Sequence, residues 1–136
     1  MIVADTNLIA YLLLPGAFTD LADQVLERSA EWHVPLLWRS EFCNVLLQHL
    51  RHDQISLDTA RDLLQDAQRL LQNREHPIDP EQALIQAAAY GLSAYDAEFV
   101  VLAETLQCPL VTSDRRLVAQ ASHVAVLLSS FVEETG

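Results

Sequence analysis

Ser93–Asp114, SAYDAEFVVLAETLQCPLVTSD, is the stretch whose reading decides the fold. Its first half reads as a helix opened by Ser93. Pro109-Leu110-Val111-Thr112 then reads as a short apolar strand, of the kind a parallel sheet buries on both faces. Each element carries an acid: Asp96 in the first turn of the helix, Asp114 just past the strand. In an open α/β sheet that carboxyl-end rim is where ligands bind. Acids elsewhere in the chain matter if they reach the same rim.

Outward from this stretch, short apolar strands alternate with helices. Downstream lie a short amphipathic helix around Leu117–Ala121 and a last strand, Val124–Leu128. Upstream, Asp79-Pro80-Glu81-Gln82 supplies an N-cap, a proline at N1 and a glutamine at N3 for a helix that ends at Gly91. Ser56 opens a helix with Ala60, Leu63, Leu64, Ala67, Leu70 and Leu71 on its apolar face. Val34–Trp38 reads as a strand, followed by a helix capped by Ser40 with Glu41 in its first turn. Thr19 is placed to cap a helix running to about Ala30. At the start, Ile2-Val3-Ala4 is a strand and Asp5-Thr6-Asn7 a polar turn, with Thr6 or Asn7 positioned to cap the helix that Pro15-Gly16 stops. The pattern predicts one α/β domain over residues 1–136, a mostly parallel sheet with helices on both faces. All its strands open on one side, which sends Asp5 and Asp114 to one rim.

Composition narrows the function. The formal net charge is −11, which argues against broad adhesion to nucleic acid or an anionic membrane. No apolar run approaches the length of a membrane span. The first residues have no basic segment and meet an acid at Asp5, unlike a signal peptide, so a cytoplasmic location is expected. Cys43 and Cys108 read as buried free thiols. The five histidines have no metal-like spacing, and all eight basic residues are arginines.

Asp5 and Asp114 at strand ends, with Glu41 and Asp96 in first helical turns, can thus converge in one cleft. Each also has a local reading: Ser93-Ala94-Tyr95-Asp96 is a good capping box, Glu41 a favourable first-turn acid, and Asp114 a cap for the following helix. Four converging carboxylates raise one another's pKa unless something neutralises them. A hard divalent cation, Mg²⁺ or Mn²⁺, as one or two ions, does so and leaves positions for a phosphate. Such a site suits phosphodiester hydrolysis. Thr6, Asn7, Thr112 and Ser113 would support it by aiming the carboxylates. Arg39, Arg115 and Arg116 stand beside the acids in sequence, as candidates for phosphate contact or as ordinary surface arginines. Glu98 lies two helical residues from Asp96, which turns it well away, and it stays only an extra candidate ligand.

The sequence resembles PIN domains, and within them VapC-type toxin ribonucleases. The resemblance rests on Ile2-Val3-Ala4-Asp5-Thr6-Asn7, Arg39-Ser40-Glu41-Phe42, Leu92-Ser93-Ala94-Tyr95-Asp96-Ala97 and Leu110-Val111-Thr112-Ser113-Asp114. It implies a Rossmann-like PIN fold and an Mg²⁺- or Mn²⁺-dependent endoribonuclease with Asp5, Glu41, Asp96 and Asp114 as its acidic pocket. It also implies Thr6, Asn7 and Thr112 as supporting groups, an RNA substrate, a homodimer and a cognate antitoxin that holds the enzyme inactive. Two other readings compete. A phosphotransfer domain would use an aspartyl-phosphate steadied by a lysine, and the chain has no lysine. A non-catalytic binding module of the same fold would have no use for four acids.

Overall fold

In a computed structural model, which describes residues 1–135, the chain forms a five-stranded sheet with every pairing parallel, in the order β3-β2-β1-β4-β5. The strands are β1 (Ile2–Ala4), β2 (Trp32–Pro35), β3 (Glu75–His76), β4 (Leu110–Thr112) and β5 (Ala125–Leu127). The helices are α1 (Thr6–Leu13), α2 (Thr19–Arg28), α3 (Trp38–Arg51), α4 (Leu57–Leu70), α5 (Pro80–Tyr90), α6 (Ala94–Leu106), α7 (Arg115–Gln120) and α8 (Leu128–Thr135).

Strand β1 shows why its sequence is wholly apolar. Side chains alternate across a strand. Ile2 and Ala4 therefore join a core built with α1–α4 and α8, while Val3 joins a second core with Phe99, Val100 and Leu117. All three residues are fully buried. The strand order also fixes a crevice. The chain winds outward from β1 through β2 to β3, then returns to add β4 and β5 on the other side. The reversal falls between β1 and β4, and such a switch point opens a cleft at the strand carboxyl ends. Asp5 follows β1, and Ser113 and Asp114 follow β4.

Several boundaries differ from the sequence reading. The second strand is Trp32–Pro35, and Trp38 is the first residue of α3 rather than the end of a strand. An apolar run such as Val34–Trp38 has no period that separates strand from buried helix start. Here the Trp38 indole N–H donates to the Glu75 carboxylate at 2.6 Å, which draws that residue into the helix. Ser40 is consequently inside α3 and does not cap it, though Glu41 stays in the first turn. Thr19 is likewise the first residue of α2; its hydroxyl donates to the Tyr11 carbonyl at 2.8 Å. The caps at Ser56, Asp79 and Ser93 form as expected, and Gly91 ends α5 at φ +67°. Strand β3 has no apolar pattern to announce it. Its His76 Nε2 lies 2.8 Å from His33 Nδ1 on β2. Helix α8 begins at Leu128, inside the apolar run that reads as strand.

Candidate active site at the switch point

Asp5 stands at the N-cap of α1 but makes no side-chain cap bond, so neither it nor Thr6 or Asn7 caps that helix in the ordinary way. Its Oδ2 instead accepts a 2.6 Å hydrogen bond from the Thr112 hydroxyl at the end of β4. Thr112 Oγ1 in turn accepts from the Asp114 backbone N–H at 3.0 Å. One fully buried hydroxyl thus ties the Asp5 carboxylate to the backbone of Asp114 across the switch point. A second threonine does the same between helices: buried Thr6, the first residue of α1, donates to Glu41 Oε1 at 2.8 Å.

The other two acids are positioned by their caps. The Asp96 N–H donates to Ser93 Oγ at 3.0 Å, which locks the first turn of α6. Asp114 caps α7, its Oδ1 accepting from the N–H groups of Arg116 at 2.9 Å and Leu117 at 3.2 Å. Capping and site membership are therefore compatible for these two residues, because a carboxylate offers about four lone-pair sites.

Three of these acids are pushed upward, by burial first and by neighbouring carboxylates second. Burial pushes the Asp5 carboxyl above the ordinary aspartate value; Thr112 pulls it back, and the charges of Asp96 and Asp114 raise it further. Glu41 is raised by burial first, eased by Thr6, then raised by Asp5, Asp96 and Glu98. Asp96 is raised by burial and by Asp114, against the opposing pull of Ser93 and Arg116. A first-turn position normally favours a carboxylate, so for Asp96 and Glu41 desolvation and like charge win over the helix terminus. Glu98, expected to point away, is also raised by burial, and its charge reaches Glu41.

The arginines divide three ways. Arg116 lines a cleft of about 250 Å³ with Ser93, Asp96, Asp114, Gly91 and Gln120. Arg115 lines a different cleft, with Phe18, Ser113 and Leu128. Arg39 is held by Glu75 through two hydrogen bonds of 2.6 and 2.9 Å. Ser113 Oγ lies 3.0 Å from the Tyr11 hydroxyl. Asn7 is exposed and lines the cleft between α1, the α1–α2 turn and α3. The sequence reading passed over Tyr11. Its signal was position, four residues after Asn7 and so on the same helical face.

This donor set suits a hard divalent cation. It is all oxygen and anionic, the donor chemistry such an ion prefers. Among the described residues no three acids already stand close enough to enclose an ion.

The chain is similar to known proteins over most of its length. The family model for the PIN domain matches residues 2–122. Ribonuclease VapC9 of Mycobacterium tuberculosis is 36% identical over 117 residues, covering 86% of this chain and 88% of that protein. Among solved structures, PAE2754 from Pyrobaculum aerophilum superposes with a TM-score of 0.78 at 19% identity, over 98% of this chain and 93% of that one. A toxin–antitoxin complex from Klebsiella pneumoniae gives a TM-score of 0.66 at 21% identity, over 93% and 97%.

Proposed function

The chain belongs to the PIN domain family, and from that premise we propose that it is an Mg²⁺- or Mn²⁺-dependent endoribonuclease, a VapC-like cytoplasmic toxin restrained by a cognate antitoxin. The observation that supports this reading is the pair of buried threonines at the switch point: Thr112 joins Asp5 to the Asp114 backbone, and Thr6 holds Glu41. The ribonuclease named among its relatives supports the reaction class.

A bound divalent cation, one ion or two, would supply Lewis-acid activation of a water and offset charge at the scissile phosphate. Asp5, Glu41, Asp96 and Asp114 would hold it. Thr6 and Thr112 keep Glu41 and Asp5 in place, so that little reorganisation is needed when substrate arrives. Arg116, at the acid cleft, is the arginine placed to meet a substrate phosphate. Arg39 is engaged by Glu75, and Arg115 faces a separate cleft.

The test is direct. Protein purified free of any partner should cleave single-stranded or structured RNA in Mg²⁺ or Mn²⁺ and stop when EDTA is added. Cleavage that persists undiminished in EDTA would remove the metal from the reading, and no cleavage with either ion would favour a binding module of the same fold.

The partner reading rests on a wholly apolar groove of about 260 Å³ between α3 and α4, lined by Leu46, Leu47, Leu50, Leu57, Ala60 and Leu64 among others. Leu57 is 63% exposed and Leu47 37%. Such a stripe suits an amphipathic helix, and the chain's net charge of −11 suits a basic partner. Replacing both exposed leucines, Leu47→Asp with Leu57→Asp, should abolish co-purification with the antitoxin encoded beside this chain while leaving metal-dependent cleavage within about twofold. Undiminished co-purification would place the antitoxin elsewhere. The second copy of a homodimer would occupy a different surface, which sedimentation of the same variant can check.

A further inference from the structure

Next to the acid site lies a second cleft of about 320 Å³. It runs from Asn7 along α1 to the α1–α2 turn and across to α3. Its volume falls at the lower end of ordinary ligand pockets, about 300–1,000 Å³. In a chain of net charge −11, there is no Asp or Glu among the described residues that line it.

Two aromatic rings form one wall. Phe18, at the tip of the turn, is 46% exposed. Tyr11 backs it, with ring centroids 4.8 Å apart and a tilt of 31°. The turn is held by Thr19, whose Oγ1 accepts from the Gly16 N–H at 3.0 Å and donates to the Tyr11 carbonyl at 2.8 Å. The wall is thus set before anything binds. The lining also presents Asn7, one turn before Tyr11 on α1, and Gln48 and His49 from α3. Two are amides, each both donor and acceptor. His49 Nδ1 lies 2.9 Å from the Val45 carbonyl, which makes Nδ1 the donor and leaves Nε2 an acceptor in the neutral ring. The cleft also touches the acid site at two points. Asn7 follows Thr6, the partner of Glu41, and the Tyr11 hydroxyl meets Ser113, which lies between Thr112 and Asp114.

We infer that this cleft is a base-recognition subsite, in which Phe18 stacks on one nucleobase of a single-stranded RNA beside the scissile phosphate while Asn7, Gln48 and His49 read its edge. The inference rests on the ribonuclease reading above and adds where sequence preference resides. An exposed ring flanked by neutral hydrogen-bonding groups is how proteins take an unstacked base. A phosphate would find no cation in the cleft.

The experiment uses short single-stranded oligoribonucleotides, each carrying one abasic position. Phe18→Ala should slow cleavage of intact RNA by about 5- to 150-fold, the range for loss of one stacked base. Removing one particular base next to the cut should cost the wild type as much. The two losses should not add, and Phe18→Tyr should restore the rate. Losses that add at every abasic position, or an unchanged rate in Phe18→Ala, overturn the subsite while leaving the nuclease intact. So does a Phe18→Ala variant that cleaves normally but escapes inhibition by the antitoxin, since the cleft would then seat protein. Binding decides the matter independently of cleavage: on adding the same RNAs to Asp5→Asn protein, the Phe18 ring resonances should shift with intact RNA and stay put with one abasic member of the set. Ring resonances indifferent to every RNA refute the inference, whether or not the wild type cleaves.

Discussion

Asp5→Asn should abolish cleavage and leave the fold standing. The expected loss exceeds the roughly 10- to 100-fold that follows removal of a group which merely orients a metal ligand. Asp5 sits where β1 ends, its Oδ2 fixed by Thr112 at 2.6 Å, and it feels the charges of both Asp96 and Asp114. An amide of the same shape keeps an oxygen to accept from Thr112 but removes the charge a cation needs. The comparison that checks the argument is Thr112→Val. This variant keeps every carboxylate and frees Asp5 to swing, so it should fall within the 10- to 100-fold range and retain activity that Asp5→Asn has lost. Rates for both variants in Mn²⁺, together with circular dichroism to confirm folding, separate the roles. If Asp5→Asn cleaves at the wild-type rate, the assigned centre is wrong.

Most of the frame is legible in the sequence because it depends on local chemistry. Ser93, Asp79 and Ser56 are read as caps and act as caps. Ile2-Val3-Ala4 and Leu110-Val111-Thr112 are read as buried strands, and they lie side by side in the sheet. The places where reading fails are those where a distant partner decides. Trp38 leaves a strand-like run for α3 because its indole finds Glu75, thirty-seven residues away. Thr6 looks like a cap, but its hydroxyl crosses to Glu41. Strand β3 is two polar residues that pair only because β2 offers an edge. At the site, strand order is enough to place Asp5 after β1 and Asp114 after the adjacent β4. The Tyr11–Ser113 contact and the capture of Arg39 by Glu75 are tertiary facts with no local signature.

The same carboxylates that serve a cation should weaken the protein without one. Asp5, Glu41, Asp96 and Glu98 all have carboxyls raised above their ordinary values, mainly by burial. The folded state therefore holds protons there that the unfolded chain releases. Their contribution to stability is complete below the unfolded values of about 4 and is lost as pH rises through the raised folded values. Chelated protein should accordingly lose melting temperature as pH climbs from about 4 toward neutrality. Glu75, held low by Arg39, contributes in the opposite sense, its share being lost as pH falls. The difference between wild type and Asp5→Asn isolates the site: the variant should have a shallower pH slope and, without metal at pH 7, should melt above the wild type. Mn²⁺ should reverse the order. A cation at a hundred times its dissociation constant stabilises the form that binds it by about 2.7 kcal/mol, a shift on the order of 10 °C for a chain of this size. That response should be lost or greatly reduced in Asp5→Asn. Thermal melts over pH and Mn²⁺ concentration test the claim with no RNA present. A wild type indifferent to Mn²⁺, or an Asp5→Asn variant that melts below it in chelator, would mean that these acids are not a repelling cluster awaiting a counter-charge.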